Sequence, residues 1–364
     1  MKKQKSVLIG LSGGVDSAIA AMILKKQGYN VIGAFMKNYS SEKKNKLINI
    51  RCWQTERKSA EKVAAQLDIP LIILDFEKEY RNKVIKPLFK GYEKGLTPNP
   101  DTLCNKIIKF PLLWKEAKKL NINHIATGHY ARVKKGKKGF NLYSGKDKLK
   151  DQTYFLYQLT QSDLKHTLFP LGNLTKKKVR EIAEKNNFHN ALRPGTKGIC
   201  FVGKVDIKTF LEQKIKEKPG NLKNPEGDIV GTHPGIMYFT IGQRIGPRLG
   251  FKFKKGFTMK KRWYIASKNK RTNTITIAPE NSDLLKKKEI KIIKFNLMNP
   301  NEKIPKEGLK ARIRHLGRLL PGKLTKSKNK LKFILNKPEK AIAEGQAIVI
   351  YNKDKVIGGG EIRL

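Results

Sequence analysis

Residues 6–17 constrain this chain more than any other stretch. The apolar run Ser6-Val7-Leu8-Ile9-Gly10-Leu11 leads straight into Ser12-Gly13-Gly14-Val15-Asp16-Ser17. From Asp16 to Gln27 the apolar residues Ala18, Ile19, Met22 and Ile23 share one helical face, and Gly28 stops the helix. A buried strand, a glycine turn and a helix in that order open a strand–helix–strand unit. Glycines let the backbone turn tightly and approach an anion closely. The N–H groups of the loop and of the helix N-terminus then face that anion. Ser12 and Ser17 add hydroxyl donors, and Asp16 can hold the helix start or a magnesium ion. The loop has no Gly-Lys-Ser/Thr ending, so it is not a Walker loop. On these residues alone an ordinary glycine-rich turn remains the alternative.

The alternation continues. Asn30 to Met36 reads as a strand, Glu56 to Leu67 as a helix, Leu71 to Asp75 and His124 to Thr127 as strands. Such repetition predicts a parallel sheet covered on both faces. From about Asn221 the pattern changes to Gly- and Pro-rich text with short alternating runs. Trp263–Ala266 and Thr274–Ile277 read as a hairpin, as do Ala347–Tyr351 and Val356–Ile357 around the turn 352–355. Leu309 to His315 and Lys330 to Leu335 alternate too. An α/β head followed by an all-β tail, with boundaries near 206 and 279, follows from these shifts.

The 364 residues carry 78 Lys plus Arg against 30 Asp plus Glu, a formal charge of +48. A field of that sign attracts polyanions, nucleic acid first. The lysines are scattered along the whole chain, however, and compositional drift toward A-rich codons would produce the same excess. No apolar run approaches the ~20 residues of a membrane span, and the basic start is followed by too short an apolar stretch for a secretory signal. Three cysteines make no disulfide scaffold. A cytoplasmic protein without membrane attachment is the expectation.

Cys104 follows Thr97-Pro98-Asn99-Pro100-Asp101-Thr102-Leu103, and a helix is predicted to start near Asn105. A thiol near a helix N-terminus and Lys106 should favour its thiolate, and Asp101 could move protons; a structural Asp and Cys fit the same residues. Cys200 lies among Gly195, Lys197, Gly198 and Gly203, as a loop thiol or as a small apolar residue. Cys52 has no such setting. The three cysteines and six histidines lack metal-ligand spacing, so no protein-held metal is expected.

Ser12–Ser17 resembles the pyrophosphate loop of ATP-pyrophosphatases, which split ATP and use the AMP to activate a carbonyl oxygen. Further segments make the resemblance specific: Met36-Lys37-Asn38, Thr97–Phe110, Thr127–Arg132, Lys150–Leu156, Gly198–Gly203, Thr240–Arg244 and Gly358-Gly359-Gly360. Together they resemble the bacterial tRNA-specific 2-thiouridylases from residue 6 to the C-terminus. The resemblance implies an α/β nucleotide-binding domain with a parallel sheet (adenine nucleotide alpha hydrolase-like), a small middle domain and a C-terminal β-barrel. It implies ATP contacts from Gly10, Leu11, Ser12, Gly13, Gly14, Val15, Asp16, Ser17, Met36 and Gly128, with magnesium accompanying the ATP.

By the same resemblance Asn99, Pro100 and Asp101 would meet the target base, with Asp101 as acid or base. Cys104 would be one catalytic cysteine and Cys200 the persulfide bearer. His129, Lys150, Asp151, Gln152, Arg314, His315 and Gln346 would touch tRNA. Implied partners are wobble-uridine tRNAs (the Lys, Glu and Gln acceptors) and a sulfur-relay protein fed by a cysteine desulfurase. Three positions depart from the family pattern. Gly195-Thr196 stands where Asp-Ser or Glu-Ser is frequent, Thr153 where serine is usual, and His315 where tyrosine is more frequent. An ATP-pyrophosphatase acting on a small molecule and an RNA-binding protein without catalysis are the rival classes. The intact loop and both motif cysteines argue against lost catalysis.

Overall fold

A computed structural model describes residues 4–40, 53–195, 202, 206–258, 260–327 and 330–364. The first sheet contains β1 (Ser6–Gly10), β2 (Asn30–Lys37), β3 (Leu71–Asp75) and β4 (His124–Ala126). After the hairpin β5 (Ala131–Gly136) and β6 (Gly139–Ser144), β7 (Thr167–Leu168) returns to its edge. The order is β3-β2-β1-β4-β7, all parallel. Val7 and Ile9 pack with α1 (Val15–Lys26), α2 (Trp53–Gln66) and helix Lys176–Lys185, while Leu8 packs with the helices of residues 77–119 on the other face. Two covered faces explain why this strand is apolar throughout rather than alternating.

Two long helices each contain a wider, π-helical turn, at Arg81–Ile85 and Asn105–Lys109. Each widening ends just before a proline, Pro87 and Pro111. Proline lacks an N–H and its ring crowds the carbonyl four residues back, which a widened turn relieves. The second helix starts at Pro100, not near Asn105 as the sequence suggested. The Asn99 side chain accepts from the N–H groups of Asp101 (3.1 Å) and Thr102 (3.2 Å), and Pro100 occupies a first-turn position where no donor is needed.

The middle sheet has the order β10-β9-β8-β12-β11. Its strands are β8 (Gly220–Lys223), β9 (Ile229–His233), β10 (Lys252–Phe253), β11 (Trp263–Asn269) and β12 (Thr274–Pro279), with β11 and β12 forming the expected hairpin. The barrel follows with β13 (Lys286–Leu297), β14 (Leu309–Arg312), β15 (Leu320–Ser327), β16 (Lys330–Lys340), β17 (Ala347–Asn352) and β18 (Lys355–Arg363). The order β13-β16-β15-β14-β17-β18 closes through a β13–β18 pairing, so six strands form a ring without free edges.

The hairpin β5–β6 joins the barrel's sheet through Tyr143 opposite Lys355. Arg132 donates to Asp354 at 2.6 Å and the Ser144 N–H to the Asp354 carbonyl at 2.7 Å. Gly359 lets the barrel approach the α/β unit, and Gly360 lets β18 approach β13. A Cβ at Gly359 would lie 2.6 Å from Tyr157 Cδ2, and one at Gly360 2.5 Å from Ile292 Cγ2.

Candidate active site

The glycine loop lies at the C-terminal end of β1, where open parallel sheets bind their ligands. Gly13 has φ +73°, and a Cβ there would fall 2.5 Å from the Glu56 carbonyl, so only glycine fits between the loop and α2. The Gly13 carbonyl accepts from Ser59 Oγ at 2.8 Å and Asn190 Nδ2 at 2.9 Å, and Ser59 in turn meets His189 Nε2 at 2.8 Å. Within the loop, Ser17 Oγ donates to the Gly14 carbonyl at 3.0 Å and accepts from the Ser12 N–H at 3.1 Å. These bonds set the loop's shape before any ligand arrives.

Asp16 does not cap the helix, since the cap position is Gly14 and has no side-chain bond. Its Oδ1 accepts from Tyr130 Oη at 2.7 Å and from Lys176 Nζ at 2.6 Å. Burial, reinforced by the Asp16 charge, pushes the Tyr130 phenol far above its usual range, so it stays protonated and donates. Gly128 fits against the first turn of α1, where a Cβ would lie 2.9 Å from the Ser17 nitrogen. Met36 Cε would lie 3.2 Å from a Cβ on Gly10.

Cys104 ends the first turn of its helix and is 0% exposed. The sequence suggested a thiol just ahead of a helix start, with a structural cysteine as the alternative; the structure buries it within the helix. Asp101 is half-buried in the same turn. Asn105 donates to the Phe155 carbonyl at 3.1 Å, while its buried Oδ1 has no partner among the described residues. Further along this helix, Leu113 lies 3.8 Å from a Cβ placed on Gly10, so the cysteine helix and the glycine loop share one support. Cys52 and Cys200 lie outside the described residues.

His129 is buried beside Phe110, with ring centroids 5.7 Å apart, and its Nδ1 meets Thr127 Oγ1 at 2.7 Å. Burial, helped by the Lys109 charge, lowers its pKa well below the usual histidine range and keeps it neutral. Lys150 and Arg314 are exposed. Gln152 accepts from the Tyr130 N–H at 3.0 Å, and His315 packs on Phe155 at 4.3 Å between centroids. The expectation of an RNA contact from the Asp151 side chain meets a carboxylate that is 0% exposed. It accepts from Arg312 Nη1 (2.7 Å), Thr153 Oγ1 (2.8 Å) and Ser144 Oγ (3.1 Å), and here it ties the α/β unit to the barrel. Gln346 donates to the Thr97 carbonyl at 3.0 Å, and Thr97 Oγ1 meets Thr240 Oγ1 at 3.1 Å. The segment before Asn99 thus touches both later sheets' domains.

Among the described residues no cluster of three His, Cys, Asp or Glu could hold a metal. Asp16 is the carboxylate at the glycine loop, and an oxygen donor of that kind fits magnesium carried with nucleotide phosphates. Sequence reasoning missed Tyr130, Lys176, His189 and Asn190. Tyr130 lay inside a recognised string, and Lys176 follows the helix cap Thr175, but nothing in the spacing aims either at Asp16.

A phosphate-type glycine loop on a parallel sheet, followed by a small β domain and a closed barrel, defines a nucleotide-dependent enzyme with appended β domains. Residues 5–204 match the family model described as "tRNA methyl transferase HUP domain", 208–279 its PRC-barrel domain and 287–362 an aminomethyltransferase β-barrel domain. A tRNA-specific 2-thiouridylase of Aliarcobacter butzleri is 39% identical over 100% of this chain and 99% of its own length. That of Mycoplasmopsis synoviae is 42% identical over 99% of this chain and 95% of its own. Among solved structures, a 4-thiouridine synthetase–RNA complex with bound ATP covers 57% of this chain and 50% of its own, at 15% identity and a TM-score of 0.37. The chain belongs to the tRNA-specific 2-thiouridylases, a family of sulfurtransferases that modify tRNA.

Proposed function

We propose that this enzyme uses ATP to replace the oxygen on carbon 2 of a wobble uridine in tRNA with sulfur. One observation carries the reading. The glycine loop follows β1, and the helix that opens with Asp101 and Cys104 packs on that strand, where its Leu113 lies 3.8 Å from a Cβ placed on Gly10. The division 1–206, 207–278 and 279–364 then assigns catalysis to the first unit and RNA support to the others.

The target base is flipped out of the anticodon loop, since its carbonyl cannot be reached in a stack. Backbone N–H groups of Gly10–Ser17 hold the ATP phosphates, and Met36 and Gly128 border the nucleotide. Asp16 would help hold a magnesium ion bound with the nucleotide, which would supply charge neutralisation for the departing pyrophosphate. Asn99, Pro100 and Asp101 position the uracil while its carbon-2 oxygen attacks the α-phosphate and pyrophosphate leaves. A persulfide on Cys200, loaded by a relay protein fed by a cysteine desulfurase, supplies the sulfur, and AMP leaves with the oxygen. Cys104 cleaves the Cys200 sulfur–sulfur bond, either after the persulfide has attacked carbon 2 or before, releasing hydrosulfide as the nucleophile. Both routes end in a Cys104–Cys200 disulfide that a thiol reductant resets. His129, Lys150, Gln152, Arg314, His315 and Gln346 border the RNA path, and the Lys, Glu and Gln acceptors are the expected tRNAs.

The test is incubation with ATP, magnesium, a persulfide donor and unmodified tRNA, followed by nucleoside mass spectrometry. 2-Thiouridine and stoichiometric AMP are expected. ATP cleavage without thiouridine on any tRNA would overturn the reading.

A further inference from the structure

The glycine loop binds through backbone donors and carries an acidic residue, Asp16, at the second position of α1. An unneutralised carboxylate beside a polyphosphate repels it, and the repulsion grows where water is partly excluded. The loop has no lysine of its own between Gly10 and Ser17. The fold supplies one from far along the chain. Lys176 opens the helix Lys176–Lys185, which packs on α1 through Val179 and Ala183. Its side chain is 12% exposed and its Nζ lies 2.6 Å from Asp16 Oδ1.

This placement is built rather than casual. The Thr175 side chain caps the helix by accepting from the Lys178 N–H at 3.2 Å. The Lys176 N–H donates to Asp147 Oδ2 at 2.8 Å, fixing the backbone that carries the ammonium. Tyr130 donates to the same Asp16 oxygen at 2.7 Å, so that oxygen is held from two sides. A lysine kept this far from solvent has given up much of its rotamer freedom.

We propose that Lys176 is a positioning residue for the nucleotide: it cancels the Asp16 charge at the loop and, with Tyr130, fixes that carboxylate so that the loop accepts a polyphosphate. The inference rests on the ATP reading of the loop. Lys176 stands in function for the missing Walker lysine, but it reaches the phosphates through Asp16.

The test compares wild type, Lys176→Met, Lys176→Gln and Lys176→Arg in the full chain, measuring ATP affinity with magnesium, unmodified-tRNA affinity and thermal midpoint. Wild-type ATP binding checks the ATP reading separately, before any variant is considered. Methionine and glutamine should weaken ATP binding about ten- to hundredfold, equivalent to about 1.4–2.8 kcal/mol. Affinity for tRNA should stay within about threefold of wild type, under 1 kcal/mol. Arginine should restore most ATP affinity because it keeps the charge beside Asp16. Glutamine keeps the length and a hydrogen bond without the charge, so it reports even if methionine misfolds. Wild-type ATP affinity in a folded Lys176→Gln enzyme would overturn the proposal. So would a lowered thermal midpoint with unchanged ATP affinity, which is the mark of a purely structural pair.

Discussion

Arg312 Nη1 donates to the Asp151 carboxylate at 2.7 Å, and the two side chains are 8% and 0% exposed. The pair joins a loop of the α/β unit to β14 of the barrel. Removing one partner of a buried pair strands the other charge, at a cost of about 3–5 kcal/mol. Arg312→Met should therefore lower stability by roughly that much, measured by urea unfolding. The double variant Asp151→Asn with Arg312→Met should recover most of the loss, because neither charge is then stranded. A single variant within about 1 kcal/mol of wild type would show that the pair does not hold the units together.

Acid should loosen the middle domain through His233. This residue is 1% exposed, its Nε2 donates to the Asn273 carbonyl at 3.2 Å, and its buried Nδ1 has no partner among the described residues. Burial lowers its pKa from 6.5 to about 4. The unfolded chain therefore binds the proton first as pH falls, so the stability that neutral His233 contributes is present above pH 6.5 and lost between 6.5 and about 4. The loss is bounded by roughly 3–4 kcal/mol. Unfolding curves across that range should show it, and His233→Gln should flatten the pH dependence there. An unchanged slope in the variant would rule out this histidine as the cause.

Local signals in the sequence were strong where short-range physics decides. The run Val7-Leu8-Ile9, the turn at Gly13 and the face of Ala18 and Met22 each specify their element without help from elsewhere, and the parallel sheet follows. The hairpins at 263–277 and 347–357 were legible for the same reason. What stayed hidden depends on residues far apart. Nothing local to residues 131–144 reveals that Tyr143 pairs with Lys355 across the chain. Asp151, expected to touch tRNA, shows its burial only once Arg312 of the barrel is placed beside it. The start of the Cys104 helix was misplaced because two prolines suggested an extended turn. Asn99 as cap and Pro100 in the first turn were the available signal for the earlier start.

Gly128 offers a steric test of the glycine loop. A Cβ there would lie 2.9 Å from both the Ser17 nitrogen and the Asp16 carbonyl carbon. Those atoms are backbone and cannot rotate away, so Gly128→Ala must move the first turn of α1. Since anion binding there depends on aligned N–H groups, ATP affinity should fall at least about tenfold, ~1.4 kcal/mol. Equilibrium binding of ATP, with circular dichroism to confirm folding, measures it. Unchanged affinity in a folded variant would place the nucleotide elsewhere.

Cys104 is sealed inside the first domain's core. Its side chain is 0% exposed and packs in the main core cluster with Tyr154, Ile108 and Phe110. A thiol so enclosed cannot exchange sulfur with another cysteine unless its surroundings move, because persulfide transfer needs sulfur–sulfur contact with Cα atoms roughly 4.4–6.8 Å apart. Alkylation by iodoacetamide should therefore be slow at Cys104 in the resting enzyme and faster once ATP and unmodified tRNA are bound. Peptide mass spectrometry after timed quenching reads each cysteine separately. Cys200→Ser should lose persulfide loading, Cys104→Ser should load Cys200 but make no 2-thiouridine, and Cys52→Ser should change neither step. Fast labelling of Cys104 without substrates would contradict its burial. Normal thiouridine synthesis by Cys104→Ser would remove it from the reaction.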